Sequence, residues 1–428
     1  MAKTDAQPDR VKVLKYELDP NNAQITEMKR HARMARYAWN WALGRIKDWL
    51  NLPKDNRERM PKSISLQKEW TVWINSDRGK ERLIEVGILG TARGTVEGAF
   101  RDLDKAISAF FSNRKKPKGQ RRKVGFPKWR KAIPSEESFH LYGRTIRAVD
   151  RSVTLPTLKT IRTKETTHVA RGDIIGVTVK RDVDRWYISF RCKDKSAKPG
   201  MRNGPAIAVH LGLKFPFTIM RSDGETPEMD SDKFDGSVSV HGNTYRIDHP
   251  SPLDHALKKL IRVDREVARR RLGRPMRPDR KPVKPVSNNY KKSRTRRALI
   301  HRRVRFVRAD FLNKLSTYLA KNFRTIIIED WRIDRLLEQK KYSRAIADKG
   351  WGIFWKMLEY KCPKFGSDLL VLNTGFPSSK KCSSCGYVKE EFPLSKRIFV
   401  CDECGMSEER ETNAVKNLMQ DGLGVAIR

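Results

Sequence analysis

Four of the six cysteines fall into two matching knuckles, Cys382-Ser-Ser-Cys385 and Cys401-Asp-Glu-Cys404, with fifteen residues between them. That spacing lets two short turns present four thiolates to one tetrahedral Zn²⁺, so it fixes the local fold before any helix or strand is assigned. Four protein ligands leave the ion no open position, and the predicted metal is therefore structural. Gly386 and Gly405 each follow a second cysteine, where a glycine allows the tight knuckle backbone. Arg397-Ile-Phe-Val400 reads as a strand between the knuckles. Cys192 and Cys362 stand alone and read as small buried hydrophobes. The first ten residues are polar and mixed in charge, with no apolar stretch of the length an export signal needs. A cytosolic chain keeps its thiols reduced, so grouped cysteines are read as metal ligands before disulfides. No window approaches the ~20 apolar residues of a bilayer crossing, which sets a membrane role aside.

Charge supplies the second constraint. Lys and Arg number 91 against 50 Asp and Glu, a formal surplus of +41. A surplus of that size repels itself unless a polyanion is the partner. Ten Trp and seventeen Phe supply core material and exclude a disordered basic tail. At 428 residues the chain has room for roughly three domains. The charge is focused. Residues 114–130 hold nine basic side chains and no acid, broken by Pro117, Gly119, Gly125 and Pro127 into a loop. Residues 253–309 hold twenty-one basic side chains against four acids. From these segments Arg121, Arg122, Lys123, Lys128 and Arg130, and then Arg296, Arg297, Arg302, Arg303, Arg305 and Arg308, are the expected nucleic-acid contacts. A solvated helix balanced by i,i+4 ion pairs is disfavoured there because so few acids are available.

The expected elements follow from periodicity. Val11–Leu18 alternates as a strand closed by Asp19-Pro20-Asn21-Asn22. Helices run on to about Ser112. Tyr37, Trp39, Trp41, Trp49, Trp70 and Trp73 could stack on bases, but packing between helices is the better reading for most of them. Strands return from 143 to 193, with 177–181 and 186–192 pairing as a hairpin across Asp182-Val-Asp184. A helical block inserted into a β-module is the simplest organisation. Beyond Ala206 strands and helices alternate, which implies an α/β layer. Four prolines at 275, 278, 282 and 285 separate two long helices, 253–272 and 290–323. On the latter, Leu299, Val304, Val307, Phe311, Leu315 and Leu319 form the core-facing stripe.

Several segments together resemble the TnpB proteins of transposons and the compact type V CRISPR effectors. They are Arg324-Thr-Ile-Ile-Ile-Glu-Asp-Trp331, the run from Gly350 to Lys361, Pro377-Ser-Ser-Lys-Lys-Cys-Ser-Ser-Cys-Gly386, and Arg410-Glu-Thr-Asn-Ala-Val-Lys-Asn-Leu418. Gly125-Phe-Pro-Lys-Trp-Arg-Lys131 and Val307-Arg-Ala-Asp-Phe-Leu-Asn-Lys-Leu315 add to them, and the resemblance spans nearly the whole chain. It implies a multidomain α/β fold: an OB-like, wedge-like β-barrel over 1–20 and 125–200, carrying a helical recognition insertion over 21–124. An RNase H-like (RuvC) domain over 201–376 and 406–428 would follow, with a zinc ribbon inserted at 377–405. The implied partners are a guide RNA and a double-stranded target DNA with a short flanking motif, in the cytoplasm and nucleoid of a prokaryote. Whether the chain is a monomer or a homodimer is left open.

In that family Asp, Glu and Asp hold two Mg²⁺ ions for cutting. Hard Mg²⁺ requires oxygen ligands, and two ions about 4 Å apart need a bridging carboxylate. Here the first position carries His210, the second Glu329 and the third Glu411. Imidazole has one lone pair and cannot bridge two cations, and Glu411 moves its oxygens by a methylene. Asp330 offers no rescue, since its side chain points to the opposite face of the strand. These departures imply that Mg²⁺ is not bound productively and that cutting is lost. What remains serves binding, as in the nuclease-dead TnpB-like repressors that block transcription. The runner-up is an active RNA-guided DNA endonuclease with an altered metal site. A third reading is a guide-independent, transposition-associated DNA-binding protein.

Overall fold

A computed structural model describes residues 11–53, 55, 57–117, 124–133, 136–142, 145–170, 172–196, 199–225, 237–241, 243–272, 287–330, 343–373, 375–393 and 395–426. The chain divides into two compact units, Met1–Ser196 and Ala197–Arg428.

The first unit opens with strand β1 (Val11–Asp19), then helices α1 (Asn22–Asn51), α2 (Ser63–Asn75), α3 (Asp77–Glu85) and α4 (Arg93–Lys115). Strands β2 (Ser138–Tyr142), β3 (Arg147–Val149), β4 (Ser152–Leu155), β5 (Lys159–Thr163), β6 (Ile174–Asp182) and β7 (Arg185–Lys193) complete it. Asn21 and Gln24 cap α1 reciprocally, which satisfies two orphan backbone donors after the Asp-Pro stop. β6 and β7 pair antiparallel with Asp182 opposite Arg185. The hairpin loop is therefore Val183-Asp184, one residue shorter than expected, with Val183 at φ 61°.

The seven strands run in the order β2-β6-β7-β1-β5-β4-β3. The ladder is open at β2 and β3 rather than closed by pairing, although Phe139 and Leu141 of β2 share a core with Val153 of β4 and Ile161 of β5. α4 approaches β2 so closely that a Cβ on Gly98 would meet the Cβ of His140 at 2.7 Å. Buried His31 joins α1 to the start of α4: its Nδ1 donates to the Glu27 carbonyl, while Nε2 accepts from the Ala92 N–H at 3.1 Å. Residues 124–133 form no strand and pack on the helices, and the strands resume at Ser138, five residues before the expected 143.

The second unit contains β8 (Ala206–His210), β9 (Phe217–Arg221), β10 (Val238–His241) and β11 (Thr244–Ile247), then α5 (Pro252–Leu272) and α6 (Asn288–Asn322). β12 (Thr325–Glu329), α7 (Ser343–Lys349), α8 (Trp351–Phe365) and β13 (Asp368–Leu372) follow, and β14 (Ile398–Val400), β15 (Ser407–Glu409) and α9 (Arg410–Ala426) complete it. The large sheet has the order β10-β11-β9-β8-β12-β13. Its centre is parallel, β12 lying between β8 and β13, and its other half is antiparallel. Continuous apolar runs such as Thr325-Ile-Ile-Ile328 suit strands covered on both faces.

One face packs Ile207, Val209, Ile326 and Ile328 against Phe311, Leu312, Leu315 and Leu319 of α6 and Phe354 and Leu358 of α8. The other packs Ala208 and Ile327 against Val415, Leu418 and Met419 of α9. Gly422 brings α9 down onto the sheet, since a Cβ there would meet Ile327 at 2.7 Å. Each fully buried Leu or Phe contributes about 1.5–3 kcal/mol, which explains why β12 stays docked between two helical layers. No helix among the described residues is long and apolar enough to cross a membrane.

Candidate carboxylate site and metal centre

β8 and β12 are adjacent and parallel, with Val209 opposite Ile328. The next residue on each is His210 and Glu329, at the C-terminal ends of the two strands. Side chains alternate along a strand. Ala208 and Ile327 face α9, so His210 and Glu329, two residues on, face the same way, and Asp330 faces away. Glu411 lies in the first turn of α9 and is 2 % exposed. Its Cγ would be 3.3 Å from a Cβ on Gly212, against the backbone just past His210. The fold thus brings the three predicted positions to one end of one sheet face.

The surroundings are cationic. His210 is 4 % exposed, and burial, helped by the Arg410 guanidinium, pushes its pKa down to about 3, so the ring is neutral. Thr218 of β9 faces His210 across the ladder, and Arg246 of β11 faces Thr218. Arg246 is buried, lies 3.9 Å from the Phe215 ring centre and pairs with Glu409. Glu411 Oε1 accepts from Arg397 Nη1 at 3.3 Å. Arg410 donates to the Pro393 carbonyl at 2.8 Å and to Ser379 Oγ at 3.1 Å. Ser378 Oγ–H donates to Glu329 Oε2 at 2.7 Å. The residues around the carboxylates are therefore a neutral imidazole, a hydroxyl and three guanidiniums. Sequence reasoning missed Arg246, Arg397, Arg410 and Ser378. Arg410 alone had a local signal, its place beside Glu411.

Beside this site, the four Sγ atoms of Cys382, Cys385, Cys401 and Cys404 lie within 4.8 Å of one another. Cys382 and Cys404 are 3.7 Å apart, and Cys385 and Cys401 are 3.5 Å apart. Tetrahedral Zn–S bonds of ~2.3 Å imply S···S separations of about 3.8 Å, so the cluster could hold a metal such as zinc. The two knuckles repeat one geometry, with Gly386 at φ 82° and Gly405 at φ 68°. Each glycine N–H donates to the carbonyl of its first cysteine, Cys382 or Cys401. Asn413 and Asn417 of α9 both donate to the Lys381 carbonyl, which fastens the first knuckle to the helix.

The predicted nucleic-acid contacts divide. Arg121, Arg122 and Lys123 lie outside the described residues. Lys128 and Arg303 are exposed, as is Arg305, and Arg302 is half-buried. Arg130 turns inward, 3.6 Å from the Trp39 ring centre and 3.8 Å from Asp102. Arg296 pairs with Glu266 at 3.2 Å and Arg297 with Asp264 at 2.5 Å. Arg308 pairs with Asp348, 1 % exposed, at 2.8 Å. The expectation that these arginines lack acids is corrected: the acids come from α5 and α7, elements that pack against α6. The aromatic set packs internally, with Trp70 edge-on to Trp41 at 5.1 Å and to Phe100 at 5.9 Å.

A third buried histidine, His249, is 6 % exposed, and burial, then Lys349, pushes its pKa down to about 4. The folded state refuses a proton that the unfolded chain takes up near pH 6.5. Stability is therefore full above that pH and falls as pH drops toward 4. His249→Gln should remove roughly 3 kcal/mol of that loss, measured by urea denaturation across a pH series. A slope equal to the parent's would contradict it.

Comparisons with known proteins agree with this layout. A family model described as "Cas12f1-like, TNB domain" matches residues 351–418, from α8 through the cysteine cluster into α9. A second, described as "Helix-turn-helix domain", matches 11–54, a span that contains β1 and α1. A "Putative RNA-guided DNA endonuclease" of Streptomyces pristinaespiralis is 28% identical over 97% of this chain and 90% of its own length. The "Putative RNA-guided DNA endonuclease InsQ" of Escherichia coli K12 is 24% identical over 97% and 93%. Among solved structures, a mini-RNA-guided endonuclease, CRISPR-Cas phi3, aligns at 11% identity and TM-score 0.45, covering 98% of this chain and 94% of that one. Both curated relatives align nearly end to end and a family model runs from α8 through the four cysteines to the helix that carries Glu411, so the chain is similar along nearly its whole length to proteins of the TnpB-like family.

Proposed function

We propose that this chain is an RNA-guided DNA-binding protein whose RuvC-like centre does not cut, and that it acts by occupying its target as a roadblock to transcription. The observation that carries the reading is His210, a buried neutral imidazole at the end of the central strand, where cutting requires a bridging carboxylate. The residues present do not fit a pair of Mg²⁺ ions. Among the described residues at this end of the sheet face, Glu329 and Glu411 offer carboxylate oxygens, Glu411 is paired with Arg397, and Arg246 and Arg410 add buried positive charge.

The order of the second unit's sheet, antiparallel on one side of β8 and parallel on the other, supports an RNase H-like assignment for 201–376 and 406–428. We assign 377–405 as a ribbon holding one structural Zn²⁺, 1–20 and 125–200 as the wedge, and 21–124 as the recognition insertion. A guide RNA would supply sequence recognition, and double-stranded DNA with a short flanking motif would be the target. The names of the curated relatives support these partners. Cations exposed on α6, among them Arg303 and Arg305, suit phosphate contact.

The test is a binding and cleavage assay on protein purified with co-expressed RNA, using guide-matched duplex DNA with Mg²⁺ or Mn²⁺. Guide-dependent, salt-sensitive binding without strand scission is expected. Guide-dependent products that vanish with EDTA would overturn the reading in favour of the active endonuclease, which the relatives' names and the two retained carboxylates favour. Binding that survives RNase would favour a guide-independent protein. The double variant His210→Asp, Glu411→Asp should gain a Mg²⁺-dependent rise in Tm that the parent lacks.

A further inference from the structure

We propose that Trp129 is a stacking platform for an unpaired nucleobase of a bound strand. The proposal rests on the nucleic-acid-binding reading above and gives it a contact that phosphate charge alone does not supply. Trp129 is 48% exposed, an unusual state for the largest apolar side chain. Its position is nevertheless fixed on both sides. Trp39 Nε1–H donates to the Lys128 carbonyl at 3.1 Å. The Asn40 carboxamide clasps Arg130, donating to its carbonyl at 3.1 Å and accepting from its N–H at 2.8 Å. Phe126, three residues earlier, packs edge-on to Phe110 at 5.4 Å within the helical core.

The indole itself rests on α1 at Gly44. Its Cη2 lies 3.5 Å from where a Cβ of Gly44 would stand, so the far edge of the ring meets the helix at a residue without a side chain. Lys47, one turn along α1, holds its ammonium 4.6 Å from the ring centre. Lys128 and Lys131 flank the ring in sequence and are exposed. The nearest acid along α1 is Asp48.

A ring anchored in this way loses little conformational entropy when a second flat group covers it. The local charge favours a group that arrives with a phosphate. Every base has a π-face, so stacking is tolerant of sequence. Inside a duplex both faces of a base are already covered, which restricts the occupant to an unpaired position.

The test compares the full chain with Trp129→Ala and Trp129→Phe. Binding is measured to a single-stranded thymidine DNA homopolymer, a uridine RNA homopolymer, and abasic strands of the same length. Trp129→Ala should weaken homopolymer binding roughly 5- to 150-fold, the contribution of one stacked base. Trp129→Phe should recover most of the loss. The dependence of log K on log salt should not change, because no phosphate contact is removed. Affinity for the abasic strands should also stay the same. The DNA and RNA arms show which strand the platform serves. Unchanged homopolymer binding in Trp129→Ala, or an equal loss on the abasic strand, would overturn the platform while leaving nucleic-acid binding intact. A parent chain that binds no strand at all would overturn the underlying reading and the platform with it.

Discussion

Cys401→Ser is expected to abolish binding of one zinc per chain and to unfold the segment from 377 to 405. Cys401 is 2 % exposed, and its own N–H donates to the Met406 carbonyl inside the second knuckle. Apart from the cysteines, the buried core of this segment is Phe392 and Phe399, and its strand β14 has three residues and pairs with the three-residue β15 just beyond it. A two-stranded ribbon of that size does not stand alone in water. Structural zinc supplies about 10–16 kcal/mol in comparable peptides at neutral pH, against a whole-domain stability of about 5–15 kcal/mol. The strands against α6 and α8 belong to a separate core and should persist. Metal content of the purified chain and limited proteolysis across 377–405 check the prediction. A variant that keeps both its zinc and its protease resistance would rule it out.

Asp348→Ala is expected to destabilise the second unit by about 3–5 kcal/mol, the usual result of stripping one partner from a buried ion pair. The Asp348 carboxylate accepts from Arg308 Nη2 at 2.8 Å and from the Leu253 N–H at 3.1 Å, while Arg308 Nε donates to the Asp348 carbonyl at 2.7 Å. One side chain, carried by α7, therefore caps the start of α5 and fixes α6. Removing it leaves a guanidinium without its counter-charge and α5 without its cap, the cap being worth about 1 kcal/mol. Asp348→Asn keeps an acceptor and should cost less. Urea denaturation of Asp348→Ala, Arg308→Ala and the double variant gives the coupling directly. Additive single effects would show that the pair contributes nothing as a pair.

The parts of the molecule that were legible in the sequence are those whose physics is local. The CxxC spacing anticipates the cysteine cluster because each knuckle closes within a few residues. Alternation in β1 and the apolar run of β12 anticipate strands, and the stripe Val304, Phe311, Leu315, Leu319 is buried as its spacing requires. The positions 210, 329 and 411 were anticipated through resemblance. What surrounds them was not, because Arg246, Arg397 and Ser378 reach the site only through strand order and helix packing. The acid that pairs with Arg308 was hidden for the same reason, since it lies forty residues further along the chain. Trp129 escaped notice because a tryptophan in a basic loop looks alike whether it is buried or left open.

The pairing of β8 with β12 has one more consequence. Ala206 lies beside Thr325, so everything between them, including both arginine-rich helices, is topologically a loop closed by the sheet. Closure entropy grows only with the logarithm of loop length, about 0.6 kcal/mol for each doubling. Helical turns added beyond the stretch of α6 that packs on β8 and β12 would therefore lengthen the excursion with little effect on the strands that anchor it.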